Sequence, residues 1–269
     1  MIEFERVSKN FGGVLAVDDF SAVIPSHRAV VLVGSSGCGK TTLLRMVNRM
    51  TSPTSGRVLI DGDDVQRMDA VKLRRSIGYV LQHGGLMPHR TVVDNVATVP
   101  ILNGRPKRAA RAAALELLER VGLDASFGNR YPVQLSGGQQ QRVGVARALA
   151  ADPNILLMDE PFGAVDPIVR LELQHELLRL QGELGKTIVF VTHDVDEAFR
   201  IGDEVIVLRE GARIAQRGVP AELLAHPADE FTRDFIGAGR ADRRLSLREI
   251  DGRTIAVDGA GAPVGVVEP

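Results

Sequence analysis

The chain has 269 residues, a formal net charge of -1 and 44% hydrophobic residues, which is enough apolar material for a sizeable core. A charge balance this close to neutral argues against bulk nucleic-acid binding, so we expect no nucleic-acid partner. The single cysteine excludes a disulfide framework, and no apolar run approaches the roughly 20 residues needed to cross a bilayer. The first residues mix charges early, unlike a signal peptide, so we expect a cytoplasmic protein that meets a membrane only through a partner.

In chain order, the first predicted elements are short strands with turns over residues 7–25, which we expect to form an antiparallel layer. Three short apolar runs further along are each typical of a parallel strand buried on both faces: residues 29–33, 155–158 and 187–191. Polar residues follow each run. In open α/β sheets ligands bind at the carboxyl ends of the strands. We therefore predict that the polar residues after these three strands lie together at one edge of the sheet and form a ligand site.

Helical elements are predicted between these strands, from apolar residues at helical spacing: residues 40–50, 107–123, 138–150 and 167–184. Residues 203–218 predict two strands around the turn Glu210-Gly211. From about Gly239 the chain is glycine-rich and only weakly apolar, which predicts a small hairpin or a loose tail.

Residues 34–42, GSSGCGKTT, match the P-loop pattern in full, after a predicted buried strand and before a predicted helix. The glycines let backbone N–H groups turn around phosphate oxygens, and the helix start adds its positive dipole end. Lys40 is suited to reach the β- and γ-phosphates of a nucleotide, and the Thr41 hydroxyl to bind Mg²⁺. Cys38 is either a small structural residue or a thiol that bound nucleotide would protect from alkylation.

Two adjacent carboxylates, Asp159 and Glu160, close the second apolar run. Burying charge is expensive, so this pair indicates function rather than packing. Next to Mg²⁺ and phosphate, Asp159 would hold the metal shell and Glu160 would orient and deprotonate the attacking water. His193, at the end of the third run, would donate to the γ-phosphate rather than serve as a structural histidine. Gln82 also follows an apolar run; its amide suits Mg²⁺ and the attacking water, and a surface loop residue is the default alternative.

Six motifs, in order and spacing, resemble the ATP-binding cassette (ABC) ATPases: GSSGCGKTT, Gln82, LSGGQ, ILLMDEP, GAVD and VTHD. The resemblance covers about residues 2–237. It implies an α/β fold in which a P-loop NTPase core with a mainly parallel sheet carries an antiparallel β subdomain and an α-helical subdomain, the latter at about residues 83–150. Residues 1–237 would be the ATPase domain, and residues 238–269 a short C-terminal extension.

The resemblance also implies roles for individual residues. Lys40, Gln82, Glu160 and His193 match catalytic positions of the family, and Thr41, Gln82 and Asp159 match its Mg²⁺ positions. Phe11 matches the aromatic that stacks on adenine; the alternative is a core aromatic. The positions that match ATP contacts are Phe11, Gly34, Ser35, Ser36, Gly37, Cys38, Gly39, Lys40, Thr41, Thr42, Ser136, Gly137, Gly138, Gln139 and the D-loop Asp166, where GAVD stands in place of the common SALD.

ABC ATPases work as head-to-tail dimers that hold each ATP between one protomer's P-loop and the other's LSGGQ signature, so the resemblance implies a homodimer. Ser136 and the N–H groups of Gly137 and Gly138, at a helix start, would bind a γ-phosphate from the side opposite Lys40. ATP binding would close the dimer and hydrolysis would open it.

Three longer segments, residues 76–100, 131–167 and 191–208, resemble the importers of osmoprotectants such as glycine betaine, choline, carnitine or proline. The resemblance implies an ATPase at the cytoplasmic face of the cell membrane, bound to integral membrane permease subunits and served indirectly by a solute-binding protein. The family docks a permease helix at positions that correspond to His83, Leu86, Met87 and Pro88, with packing of the helical insertion as the alternative.

Several alternatives stay open at this point. Methionine and other amino-acid importers share much of these segments. A soluble ABC ATPase usually carries two cassettes or a coiled-coil insertion, and a P-loop kinase would need neither LSGGQ nor His193. Osmoprotectant ATPases often carry a pair of CBS modules after the cassette. About thirty residues follow Gly239, too few for that pair, so we expect either an absent regulatory domain or a shortened chain.

Overall fold

The computed structural model describes residues 1–82, 84–163, 165–239, 245–250 and 252–267. The described strands form sheets of six, four and three strands. The strands are β1 (Ile2–Phe11), β2 (Val14–Ile24), β3 (Ala29–Gly34), β4 (Ser55–Ile60), β5 (Asp63–Asp64), β6 (Ile77–Val80), β7 (Ile155–Asp159), β8 (Thr187–Thr192), β9 (Glu204–Leu208), β10 (Ile214–Gly218), β11 (Ser246–Ile250), β12 (Arg253–Val257) and β13 (Pro263–Val266).

The helices lie mainly between these strands. They are α1 (Lys40–Val47), α2 (Ala70–Ser76), α3 (Val92–Val96), α4 (Thr98–Leu102), α5 (Lys107–Arg120), α6 (Gly137–Leu149), α7 (Pro167–Leu184), α8 (Val195–Ile201), α9 (Pro220–Ala225) and α10 (Glu230–Ile236). Helices α3 to α6 all fall between β6 and β7, where the sequence predicts a helical insertion. Whether they form a separate subdomain stays a prediction.

The six-stranded sheet has the order β10-β9-β3-β8-β7-β6, and only β10 runs antiparallel to its neighbour. Every residue of β3, β7 and β8 is buried, which confirms the prediction of three buried parallel strands. Val33 of β3 pairs with Thr192 of β8, and Asp159 of β7 pairs with Val191 of β8. The carboxyl ends of the three strands therefore lie side by side.

Strand β3 sends alternate side chains into two separate cores. Val31 and Val33 join the cluster that contains the buried residues of α5 to α8, whereas Val30 and Leu32 join the cluster that contains those of β1, β2 and α1. Both faces of the sheet are thus covered, which is why the strand sequence is continuously apolar rather than alternating.

An antiparallel sheet of order β2-β1-β4-β5 confirms the predicted antiparallel layer. Its first two strands are longer than the short strands predicted, at 10 and 11 residues. The register between β1 and β2 shifts between Phe4 and Val7, where Arg6 has a φ of 48°. Such bulges bend and twist a strand, so a long strand can curve over the core without ending.

Helices α6 and α7 lie where helical spacing predicts them, but α1 ends three residues before the predicted limit, at Val47. Asn48 takes the C-cap position, and its side-chain oxygen accepts from the Met50 N–H at 3.0 Å. Arg49 then has a φ of 55°, a left-handed conformation that ends the helix.

The three-stranded sheet is an antiparallel meander of β11, β12 and β13. It is therefore more ordered than a loose tail and one strand larger than the hairpin predicted for this region. Among the described helices, none combines the length and the apolarity that spanning a membrane requires.

Candidate functional site

The glycine loop between β3 and α1 has the shape of a phosphate-binding loop. Gly37 and Gly39 have φ values of 79° and 111°, which side chains rarely tolerate. A Cβ on Gly39 would also overlap the Ala16 carbonyl oxygen of β2, so strand and loop meet at a residue without a side chain. The Cys38 side chain is 1% exposed, which supports a packed small residue rather than an accessible alkylation target.

Lys40, the first residue of α1, folds back over this loop. It is 4% exposed, and its Nζ donates to the carbonyl oxygens of Gly34 at 2.7 Å and Ser35 at 2.8 Å. A buried ammonium needs such partners because an unpaired charge away from water is costly. The two carbonyls hold the ammonium at the loop, where a phosphate would be bound.

Thr41 and Asp159 join the ends of β3 and β7. The Thr41 hydroxyl donates to Asp159 Oδ1 at 2.7 Å, and Asp159 is 8% exposed. The Tyr79 hydroxyl of β6 donates to Asp159 Oδ2 at 3.4 Å. Burial and the negative charge of Asp159 raise the pKa of Tyr79, so the phenol keeps the proton that it donates. Tyr79 was not predicted as a site residue, because its contact partner lies 80 residues away in sequence.

Glu160 and His193 form the second pair at this edge. His193 Nδ1 lies 3.1 Å from Glu160 Oε2, and the histidine side chain is 59% exposed against 24% for the glutamate. Glu160 has a φ of 45°, and its N–H donates to Val191 O at 2.9 Å. The backbone of β8 therefore holds a strained residue, a feature that clusters at functional sites.

Gln82 lies beside the turn that follows Glu160. A Cβ on Gly163 would lie 3.3 Å from Gln82 Nε2 and 3.8 Å from Glu160 Oε2. The amide and the carboxylate thus flank the same glycine. Gln82 is exposed, so the default interpretation as a surface loop residue describes its environment, while its position next to Glu160 fits the catalytic prediction.

A cavity of about 160 Å³ lies at this edge, lined by Ser36, Gly37, Gly39, Lys40, Thr41, Thr42 and Glu160. A larger groove of about 570 Å³ lies at the opposite edge of the sheet, next to Ile77 and Ile155 at the starts of β6 and β7. None of the predicted site residues lines that larger groove. Of the predicted catalytic and Mg²⁺ residues, Lys40, Thr41 and Glu160 line the smaller cavity. Asp159 and His193 lie outside its lining and reach it through their contacts with Thr41 and Glu160.

The signature residues lie at the start of α6 and do not line this cavity. Ser136 is the N-cap: its hydroxyl accepts from Gln139 N at 3.3 Å, while Gln139 Oε1 accepts from Ser136 N at 3.0 Å. Ser136 and Gly137 are exposed. A Cβ on Gly138 would lie 2.6 Å from Val169 Cγ1, so α6 and α7 approach closely there.

Two further predicted residues also lie outside the cavity lining. Asp166 caps α7, with Oδ1 accepting from Val169 N at 3.1 Å. Phe11 is 49% exposed, and Lys9 Nζ lies 4.8 Å from the ring centroid, so the alternative of a core aromatic is wrong.

The predicted docking positions differ in environment. His83 lies outside the described residues. Leu86 packs against the hydrophobic core, which supports its alternative role in packing, whereas Pro88 is exposed.

A mainly parallel sheet whose central strand leads through a glycine loop into a helix defines an α/β protein of the P-loop NTPase class. The family model described as "ABC transporter" matches residues 17–163. The chain belongs to the ABC transporter family, with the ABC ATPase fold.

Relatives of known name support this assignment. The carnitine transport ATP-binding protein OpuCA of Listeria monocytogenes is 50% identical over 241 residues, which are 89% of this chain and 60% of OpuCA. The osmoprotectant import ATP-binding protein OsmV of Salmonella typhimurium is 51% identical over 253 residues, 92% of this chain and 66% of OsmV. The chain thus spans about three-fifths to two-thirds of the length of these relatives.

The dimeric structure of MJ0796, a bacterial ABC transporter cassette, superposes with a TM-score of 0.75 at 36% identity. The match covers 82% of this chain and 99% of MJ0796. The same cassette has been solved in a dimeric post-hydrolysis state bound to ADP and Pi.

Proposed function

We propose that this chain is the ATP-binding and ATP-hydrolysing subunit of an importer for a small quaternary-amine osmoprotectant. The ATP-hydrolysing role is supported by two contacts at one edge of the sheet, beside the loop that holds Lys40. Thr41 donates to Asp159 at 2.7 Å, and His193 lies 3.1 Å from Glu160. The names of OpuCA and OsmV, which concern carnitine and osmoprotectants, support the choice of solute.

The residues at this edge fit Mg²⁺. The ion prefers oxygen ligands and is usually held by one or two carboxylates together with substrate phosphates. Thr41 Oγ1 and Asp159 supply such oxygens at adjacent positions, and the exposed amide of Gln82 is near. Among the described residues, no group of three or more acidic, His or Cys side chains would hold a metal alone. When bound with ATP, the ion neutralises charge on the β- and γ-phosphates.

In the proposed reaction a water molecule attacks the γ-phosphorus of ATP. The bond from the γ-phosphorus to the bridging oxygen breaks, and ADP and inorganic phosphate are the products. The Glu160 carboxylate accepts the proton of the attacking water, and Gln82 orients that water. Lys40 and His193 donate to the γ-phosphate, whose equatorial oxygens carry the charge of the transition state.

The signature residues are proposed to serve the ATP of a second copy. Ser136 and Gly137 are exposed and lie outside the Lys40 cavity, so they are free to contact another molecule. Val133 and Ile168, near the starts of α6 and α7, are 87% and 74% exposed, as expected for apolar residues that a dimer covers. The dimeric form of MJ0796 supports the same arrangement here.

The permease and the solute-binding protein are the remaining proposed partners. We place the chain at the cytoplasmic face of the membrane, bound to permease subunits near Met87 and Pro88. An amino-acid importer of the methionine type is the second candidate, since its ATPase would share these segments. Residues 1–237 would form the ATPase domain in either case.

The proposed dimer, in which each ATP lies between the two protomers, is tested by light scattering of Glu160→Gln. This variant should bind ATP without hydrolysis and form an ATP-dependent dimer. Adding Ser136→Arg should abolish the dimer and leave ATP binding intact, whereas Ser126→Arg, at another exposed serine, should not. Lys40→Ala should lose ATP affinity. A Glu160→Gln protein that stays monomeric with saturating ATP would contradict the proposal.

The solute is tested by transport in proteoliposomes that contain the chain, its permease subunits and the cognate binding protein. ATP-driven uptake of carnitine or glycine betaine, with no uptake of methionine, is expected. Uptake of methionine alone would favour the second candidate.

A further inference from the structure

Arg147, near the C-terminal end of α6, forms hydrogen bonds with the turn at Gly84 and Gly85. Its Nη1 donates to Gly85 O at 2.6 Å and its Nη2 to Gly84 O at 2.8 Å. The two glycines have φ values of 66° and 57°, so the turn takes a shape that other residues rarely adopt. One guanidinium thus holds two consecutive carbonyls whose orientation depends on this shape.

The environment of Arg147 is unusual for a charged side chain. Burial lowers the pKa of the guanidinium, and within the described part of the chain no carboxylate forms an ion pair with it. Arg142, five residues earlier on the same helix, instead pairs with Glu172 at 3.0 Å and donates to Val121 O at 2.9 Å. Arg147 is partly buried, and its guanidinium donates to backbone carbonyl oxygens instead of to a carboxylate. This arrangement indicates that the side chain serves to fix the position of that backbone.

The packing around the turn is equally close. A Cβ on Gly144 would lie 3.3 Å from Gly84 Cα, and a Cβ on Gly84 would lie 3.2 Å from Gln140 O. Gln141, which is 2% exposed, donates through Nε2 to Leu81 O at 3.5 Å. One face of α6 therefore contacts both the turn and the chain just before it.

The two ends of this connection carry different predicted tasks. Ser136, the N-cap of α6, is the proposed contact to the partner's ATP, and the turn begins two residues after Gln82. We propose that Arg147 is a positioning residue that locks the Gly84–Gly85 turn to α6, so that engagement of Ser136 by ATP is transmitted to Gln82. The transmission rests on the proposed function, whereas the lock itself does not.

The experiment is hydrogen exchange by mass spectrometry on peptides that span residues 81–88, in the Glu160→Gln background. The Gly84 N–H donates to Leu81 O at 3.0 Å, so its exchange reports opening of the turn. Without nucleotide, Arg147→Met should exchange about tenfold faster or more, because two charge-assisted hydrogen bonds are lost. The matched control Arg142→Met should leave this peptide unchanged.

With saturating ATP, the parent and the control should gain protection in this peptide, and Arg147→Met should gain none although its dimer still forms. With Glu160 restored, Arg147→Met should lower kcat for ATP about fivefold or more at unchanged KM, the split expected when Gln82 alone is misplaced. Arg147→Lys, whose single ammonium lacks the guanidinium fork, should give intermediate exchange and serves if Arg147→Met does not fold.

The outcomes separate the two proposals. If the Glu160→Gln parent forms no ATP-dependent dimer, the proposed dimer is wrong. Hydrogen exchange without nucleotide still decides whether Arg147 holds the turn against α6. If the parent dimerises and Arg147→Met matches Arg142→Met with and without ATP, the inference about Arg147 is overturned.

Discussion

Replacing Thr41 by valine should destabilise the nucleotide-free protein, because this change removes a hydroxyl and little volume. That hydroxyl donates to Asp159 Oδ1 at 2.7 Å, and the remaining described partner of the carboxylate, Tyr79, lies at 3.4 Å. A hydrogen bond to a charged group contributes about 1.5–3 kcal/mol, and threonine and valine have similar helix propensities. The free energy of unfolding should therefore fall by about 1.5–3 kcal/mol, which lowers Tm by about 3–12 °C for a domain of this size.

The assay is urea unfolding followed by circular dichroism, in EDTA and without nucleotide. Thr42→Val, the same change at the next residue of α1, is the matched control. A double-mutant cycle with Asp159→Asn should give a coupling energy of about 1 kcal/mol or more. In the presence of ATP, the additional stabilisation of the protein by Mg²⁺ should be smaller in Thr41→Val than in the parent, because one proposed oxygen ligand is lost. Equal losses in Thr41→Val and Thr42→Val, with no coupling to Asp159, would refute the reasoning.

Three further changes test other parts of the structure. Phe11→Ala should change stability by less than about 0.5 kcal/mol, since the ring is 49% exposed. The same change should weaken ATP binding in calorimetry by about 1–3 kcal/mol, and unchanged affinity would contradict stacking of this ring on adenine. Gly138→Ala should cost about 1–3 kcal/mol of stability, because its Cβ would lie 2.6 Å from the stiff Val169 side chain; an unchanged Tm would contradict the packing. Glu197 is 6% exposed, and burial raises the pKa of its carboxyl above the ordinary 4.5. As pH rises past 4.5 the unfolded chain loses this proton first, so stability falls until the folded carboxyl also ionises. The difference in Tm between Glu197→Gln and the parent should therefore grow in favour of the variant as pH rises from 4.5 to the pKa of the folded carboxyl. A difference that is the same at pH 4.5 and above would contradict the raised pKa of Glu197.

The parts of the fold that the sequence predicts well are those where one local pattern has one structural explanation. A continuously apolar run such as β3 or β8 must be covered on both faces, and every residue of both strands is buried. The shared edge follows from parallel strands alone. That edge holds Lys40, Asp159 and His193, as predicted, while their chemical roles stay proposals.

The contacts that the sequence does not predict join residues far apart in the chain. Tyr79 contacts Asp159 across 80 residues, and Arg147 contacts Gly85 across 62. Nothing local to either residue shows which atom it will meet, because pairing depends on strand order and on helix placement. The register shifts in β1 are not predicted for the same reason: they depend on how β1 pairs with β2.

The alternation of β3 side chains between two cores has a consequence for cooperativity. Val31 packs on one face of the sheet and Val30 on the other, so β3 cannot unfold without exposing both clusters. Opening of this strand should therefore require an unfolding event close to the global one. The β11–β13 meander, whose first and last strands are exposed throughout, has no such support. Limited proteolysis should remove it long before the loop that begins at Gly34 becomes accessible.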